Sequence, residues 1–109
     1  MNGYKLIDDS AKLLGLDRAD ENMKIIGLPI VNEIIVALGF MPLSSLSEKI
    51  GIAAPGTLSA LRFGVAALMA NAIGDTDSHA ALYEIYTQKH SRLASKIERV
   101  RDVFPRGEQ

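Results

Sequence analysis

Apolar residues dominate one long stretch of this chain, TLSALRFGVAALMANAIG, which runs from Thr57 to Gly74 and carries a single charge, Arg62. Apolar side chains fall on nearly every side of its helical projection, which is typical of a helix enclosed by other elements. Pro55 precedes the stretch, Thr57 offers an N-cap oxygen, and Gly74 stands where a left-handed C-terminal residue belongs. The pattern therefore predicts a buried central helix over about residues 57–73.

The first half of the chain predicts two more helices and a short helical segment. Apolar positions at helical spacing predict a first helix over residues 4–14 and a second over about 19–38. The second helix should kink at Pro29, which has no N–H to bond to the preceding turn. Ser45 and Glu48 match the S-x-x-E capping box, which predicts a helix of one to two turns ending near Gly51.

The last long helix is predicted over residues 78–99, after the capping residues of the run DTDS. Leu82, Tyr86 and Leu93 share one apolar face of this helix. Pro105 should end helical structure in the tail, residues 102–109.

Together these patterns predict an all-α fold. We expect a compact bundle of four to five helices, with one domain over residues 1–101 and an extended tail after it. Lys and Arg total 12 and Asp and Glu total 13, so the net charge of −1 gives no global argument for binding nucleic acid or a membrane. The chain has no cysteine, which excludes disulfides and thiolate metal sites. It also lacks a signal-peptide pattern, and we expect a soluble, cytoplasmic protein.

Candidate chemistry is sparse in this sequence. His79 and His90 are the two histidines, and eleven residues of helix would separate them by roughly 16 Å, too far to share a metal ion. Asp75 and Asp77 precede His79, but acids at a helix start are better explained by capping than by metal binding. No nucleophile motif or phosphate-binding glycine loop occurs. The sequence predicts no catalytic, metal-binding or cofactor-binding residue, and hence no enzyme.

A basic stripe on the last helix is the best candidate for a functional surface. It is formed by Lys89, Arg92, Lys96 and Arg99 and is extended by Arg101. Such a stripe could pair with phosphates or with acidic residues of a partner protein, and it could equally be a solvated face.

Two polar residues interrupt apolar stretches. Asn32 and Arg62 would each need a partner, because burying either one unpaired costs about 1–3 kcal/mol or more. For Arg62 we expect a carboxylate, from the same chain or from a neighbour.

Several motifs follow one another between residues 28 and 105. An apolar helix contains Asn32, in LPIVNEIIVAL; the serine-capped segment SSLSEKIGI follows; then come FGVAALMANAIGD, LYEIYTQKHSRL and the closing RDVFP. This series resembles the phage head-tail connector (adaptor) family, small helical proteins that join the portal ring of a tailed-phage capsid to the tail. Thr87 and His90 depart from the Asn and Arg that are common in that family.

The resemblance implies a structural protein of the virion neck, assembled in the host cytoplasm. Its partners would be copies of itself in a ring, dodecameric on the portal, together with the portal protein and a tail-side stopper or tail-completion protein. Genomic DNA would pass through the ring without sequence-specific contact, and no membrane or cofactor would be involved. The alternative is a small helical DNA-binding or regulatory protein that uses the basic stripe over residues 89–101.

The expected ring interface is head-to-tail, since a heterologous contact can close into a ring. We expect it on the outer faces of the last two helices. One side would use Tyr83, Lys89, Arg92 and Lys96, and the other would use acids such as Asp8, Asp9 or Glu33. The candidate subunit or partner contacts are Arg62, Tyr83, Lys89, Arg92, Lys96, Arg99, Arg101 and Phe104.

Overall fold

The computed structural model describes the backbone of residues 1–103 and the side chains of residues 1–94. Its elements are α1 (Gly3–Lys12), α2 (Glu21–Ala37), α3 (Pro55–Ala72) and α4 (Thr76–Val103). Within the described backbone these four helices account for the regular structure, so the all-α prediction is confirmed. Most of the predicted tail, from Phe104 onward, lies outside the described residues.

The predicted central helix is present as α3, which packs against each of the other three helices. Its fully buried residues are small or aliphatic: Ala60, Leu61, Gly64, Val65, Ala66, Ala67, Met69 and Ala70. Gly74 follows it with a φ of +79°, as predicted. The predicted start of this helix is wrong, because the helix begins at Pro55 and Thr57 lies inside its first turn. Proline has no N–H to satisfy and a preset φ, so it can open a helix without a side-chain cap.

The second predicted helix is present as α2 and continues through Pro29. Its start is fixed by Asp20, whose carboxylate accepts a hydrogen bond of 2.8 Å from the backbone N–H of Met23. On its buried side Gly27 lies directly against Ile7 of α1, and a Cβ atom there would push the end of the Ile7 side chain aside. The small residue therefore sets how closely α1 and α2 approach.

The prediction of a short helix from Ser45 and Glu48 is wrong. Residues 44–50 form turns, in which the Glu48 carboxylate accepts a 3.1 Å hydrogen bond from the backbone N–H of Ser44. The backbone N–H of Ile50 donates to the carbonyl of Met1 over 2.9 Å, and Asn2 forms an isolated bridge with Lys49. Pairing with the chain start therefore uses backbone groups that a helix would need for itself.

Helices α3 and α4 form an antiparallel hairpin around Gly74. Its course follows from three contacts, which pair Gly56 with Leu93, Gly64 with Tyr86 and Ala67 with His79. Helix α4 begins two residues before the predicted start and continues past the predicted end to Val103.

Asp75 caps the start of α4, in agreement with the capping role predicted for the run DTDS. Its carboxylate accepts a 3.1 Å hydrogen bond from the backbone N–H of Ser78. Hydrogen bonds from the side chain and backbone of Ser78 lower the pKa of Asp75 below its usual range. The capping interpretation of the acids before His79 therefore has a direct structural basis.

We predict that Ala67→Leu lowers the free energy of unfolding by about 1–3 kcal/mol, because added methylenes in a filled core force neighbouring side chains out of place. Ala67 has no exposed surface, and its carbonyl accepts the hydrogen bond from His79. Chemical denaturation would measure the change. Ala80→Leu, at an exposed position of α4, is the control and should shift stability by no more than about 0.5 kcal/mol. A silent Ala67→Leu would contradict the packing around α3.

Ser10 is a buried polar residue in α1, and within the described residues its hydroxyl has no hydrogen-bond partner. We predict that Ser10→Ala raises the free energy of unfolding by about 1 kcal/mol, since it removes an unsatisfied polar group and favours the helix. Ser91→Ala, on the exposed side of α4, is the control, because it should raise stability only through the higher helix propensity of alanine. If both variants gain equally in denaturant titrations, the Ser10 hydroxyl has a partner in solution.

Candidate functional site

Both histidines have structural roles on α4: His79 ties it to α3, and His90 ties it to the end of α2. The Nδ1 atom of His79 lies 2.7 Å from the carbonyl oxygen of Ala67, and the Nε2 atom of His90 lies 3.1 Å from that of Ala37. Because a carbonyl can only accept, each of these ring nitrogens carries the proton and donates. Among the described residues no three His, Asp or Glu side chains come close enough to hold a metal ion.

An aromatic row connects the two histidines along one side of α4. His79 stacks on Tyr83 with ring centroids 5.6 Å apart, Tyr83 meets Tyr86 at 5.7 Å, and Tyr86 meets His90 at 5.8 Å. Tyr86 is buried, whereas Tyr83 is 42% exposed. Burial raises the pKa of Tyr86, and Tyr83 and the carboxylate of Glu33 raise it further. The row holds α4 against both α3 and the end of α2.

Arg62 has the carboxylate partner that its position required. Its Nε atom lies 4.0 Å from an oxygen of Asp9 in α1. The same carboxylate is 2.9 Å from the Nζ atom of Lys5 and 4.0 Å from that of Lys12. Three cations thus surround one carboxylate on the α1–α3 surface. The expectation of a carboxylate partner is confirmed, within the chain itself.

Lys89 of the predicted basic stripe is half-buried. Its Nζ atom lies 5.1 Å from the ring centroid of Phe63, which is the neighbour of Arg62 in α3. This is a cation–π distance. Arg92 lies one turn further along α4 and is exposed. The side chains of Lys96, Arg99 and Arg101 lie outside the described residues, as does Phe104.

The predicted contact residues do not form one surface. Tyr83 and Lys89 stand three residues before and after Tyr86, which faces α3, so they lie on opposite flanks of α4. Two of the acids proposed to face them are already engaged: Asp9 holds cations, and Asp8 accepts a 3.0 Å hydrogen bond from the backbone N–H of Ala19. Of the three proposed acids, the exposed Glu33 is the one for which the described residues show neither a hydrogen bond nor an ion pair.

Asn32 is a structural residue. Its amide spans both backbone groups of Leu43: Oδ1 accepts from the N–H at 2.7 Å, and Nδ2 donates to the carbonyl at 2.9 Å. This pair of bonds fastens the loop after α2 to the helix. The partner that sequence analysis required for Asn32 is therefore a loop backbone within the same chain.

We predict that Asn32→Leu lowers the free energy of unfolding by about 1–3 kcal/mol, because both backbone groups of Leu43 lose their partner in a half-buried place. Urea denaturation would measure this change. Asn22→Leu provides the control, since Asn22 lies in the exposed first turn of the same helix and should alter stability by no more than about 0.5 kcal/mol. Equal effects would show that the loop needs no tether.

An exposed apolar face on α2 is the feature that sequence analysis missed. Ile25 is 76% exposed and Val36 54%, and both lie with Pro29 on the side of the helix opposite the core. Beyond the helix, Phe40 and Met41 are also exposed, Met41 by 85%. Sequence analysis predicted this helix without assigning it an exposed side, and only the packing shows which side stays uncovered. Several large apolar side chains exposed on one side of a helix indicate an interaction site.

A shallow groove of about 340 Å³ adjoins this apolar face between α2 and the end of α3. Ile26 and Ile30 line it from α2, and Leu68 and Ala72 line it from α3. Glu33 lies at the same groove and provides its charge. The groove therefore combines apolar side chains with the amide of Asn71 and one carboxylate, a composition suited to contact with another protein.

No helix within the described part of the chain combines the length and the apolar character needed to cross a bilayer. Comparisons of the chain with protein-family models, with curated proteins and with solved structures found no match.

Proposed function

We propose that this protein is a structural subunit of a tailed-phage virion, a head-tail connector that forms a ring between portal and tail around the DNA channel. The ring would assemble in the host cytoplasm and occupy the virion neck. Its partners would be further copies of the chain, the portal protein and a tail-side completion protein. The proposal assigns the chain no catalytic activity and no cofactor.

The observation that carries the proposal is the exposed apolar face of α2. Ile25, Val36 and Met41 each expose more than half of their surface, which is costly in water unless another protein covers them. A subunit that functions in an assembly has a reason to keep such a face. The resemblance of the motif series over residues 28–105 to head-tail connectors favours one kind of assembly, the ring between portal and tail.

The motifs also have structural roles that suit an assembly subunit. FGVAALMANAIGD lies in the core helix and its C-terminal end, and the Asn of LPIVNEIIVAL ties a loop to the apolar helix. Rigid placement of α2 and of the loop after it would keep the exposed face in a fixed shape. Partners can bind such a preorganised surface with less loss of conformational entropy.

Electron microscopy of the protein mixed with its cognate portal rings tests the proposal. We expect added ring density on the tail-proximal side of the portal. Ile25→Glu combined with Val36→Glu should abolish this density while leaving the thermal unfolding of the subunit nearly unchanged, because both side chains are exposed.

Leu13→Glu combined with Leu16→Glu is the matched control, since it adds the same charge at exposed apolar positions near the end of α1. Portals that gain no density at any protein concentration would refute the connector function. Density that survives the α2 variant would refute the role of the apolar face. The alternative, a DNA-binding regulatory protein using residues 89–101, predicts no density on portals.

A further inference from the structure

The basic stripe of α4 belongs to a larger surface that spans three helices. We define the basic face as Lys5 and Lys12 of α1, Arg62 of α3, and Lys89 and Arg92 of α4. Both outer helices border the same side of α3, because Leu14 at the end of α1 packs in one apolar cluster with Phe63 of α3 and Leu82 of α4. The cations of α1 and those of α4 therefore flank Arg62 and its neighbour Phe63.

Positive charge is in excess on the basic face. Among the described residues, Asp9 is the carboxylate that forms ion pairs on this face, and it is shared among Lys5, Lys12 and Arg62 at 2.9–4.0 Å. Glu84 of α4 lies about 140° around the helix from Lys89 and about 80° from Arg92, and the described residues show no ion pair between it and either cation. Asp8 is occupied by the backbone N–H of Ala19. Within the described residues, the five cations of the basic face therefore have one carboxylate in contact with three of them, which leaves the face with a net positive charge.

The length of the basic face favours an extended anion over a single carboxylate. Lys5 and Lys12 are about 10 Å apart along α1, at about 1.5 Å per residue. On α4 the basic positions run from 89 through 92 and continue in the sequence at 96 and 99, a row of about 15 Å along a helix whose described backbone reaches Val103. A duplex strand offers one phosphate about every 3.4 Å along the axis, so it can meet such rows at several points.

We propose that the basic face binds the phosphate backbone of duplex DNA without regard to sequence. The inference rests on the proposed function only for the source of the DNA, which would be the genome in the channel of the ring. Lysine side chains with mobile charged ends and the exposed Arg92 suit phosphates at variable spacing. The contact with the Phe63 ring would hold the Lys89 ammonium group in place at the start of the α4 row.

Fluorescence anisotropy with a labelled random-sequence duplex tests the inference on the full-length protein at several salt concentrations. We expect wild-type affinity to fall steeply with salt. Lys12→Gln combined with Arg92→Gln should weaken binding about tenfold at low salt and reduce the log–log salt slope by about 2, one for each lost phosphate contact.

Lys24→Gln combined with Lys49→Gln is the matched control, because it removes the same charge from other surfaces. Lys24 lies beside Asp20 and Glu21, and Lys49 lies by Met41. This control should bind DNA within about twofold of wild type, since non-specific affinity depends on the cations that contact phosphate. Equal weakening by both pairs would overturn the inference.

Two further results would also overturn it: wild-type protein that binds no duplex at low salt, or poly-L-glutamate that competes as well as unlabelled duplex. The second result would identify the partner as an acidic protein. Portal mixtures with the Lys12 and Arg92 variant separate the two proposals. Ring density without DNA binding removes only this inference, and DNA binding without ring density removes only the connector function.

Discussion

Gly64→Val is expected to lower the free energy of unfolding by about 3 kcal/mol, the upper end of the usual cost of overpacking. A Cβ atom at this position would lie 2.8 Å from the Cγ2 atom of Ile34 and 2.8–2.9 Å from ring atoms of Tyr86. Neither neighbour can yield easily, because one is a branched side chain of α2 and the other an aromatic ring in the row on α4. Valine's small gain in helix propensity over glycine, about 0.4 kcal/mol, is too small to offset this. Urea denaturation monitored by circular dichroism would measure the loss.

Gly56→Val, in the first turn of the same helix, is the matched control. The nearest atom to a Cβ there is Cδ2 of Leu93 at 3.9 Å, an ordinary contact. We expect its stability to stay within about 0.5 kcal/mol of wild type. If Gly64→Val were equally harmless, α3 would not be clamped between α2 and α4, and the proposed assembly surface would have lost its rigid support.

Tyr86→Ala is expected to cost about 3–5 kcal/mol, as for other buried aromatic residues replaced by alanine. Tyr86 is 5% exposed, covers Gly64, and stands between Tyr83 and His90 in the aromatic row. Its loss would leave a cavity at the contact of α3 and α4. Thermal or chemical unfolding would measure the effect, and a cost of this size would leave a domain of this length marginal.

Tyr83→Ala removes a similar ring from the same row and provides the comparison. Because Tyr83 is 42% exposed, we expect a loss of no more than about 1 kcal/mol. Similar losses for the two tyrosines would show that the row, rather than the packing against Gly64, holds α4 in place.

The helices were predictable where a pattern repeats over many residues. The apolar run over α3, the left-handed Gly74 and the apolar face of Tyr86 all express local preferences that hold in any fold. The short helix at residues 44–50 was not predictable from its capping box. Its backbone pairs instead with Met1 and Asn2, which are distant in sequence.

The candidate surfaces were predictable only in part. A row of basic residues on one flank of α4 follows from helical spacing alone. The sequence pattern does not show that Lys5, Lys12 and Arg62 lie on the same face as this row. Their position depends on how α1 packs on α3, which helical periodicity does not specify. Sequence analysis likewise grouped Tyr83 with Lys89, although the direction in which Tyr86 faces separates them.

The sequence by itself determined that this is an all-helical chain with α3 at its centre, because an apolar run of that length needs enclosure and its small residues allow close helix contact. Only the tertiary structure decided which side of the apolar α2 remains uncovered and which cations meet on one face. Local periodicity specifies that a helix forms and which residues share its sides. The choice of which side is buried depends on contacts between residues far apart in the chain, such as Gly64 with Ile34 and Arg62 with Asp9.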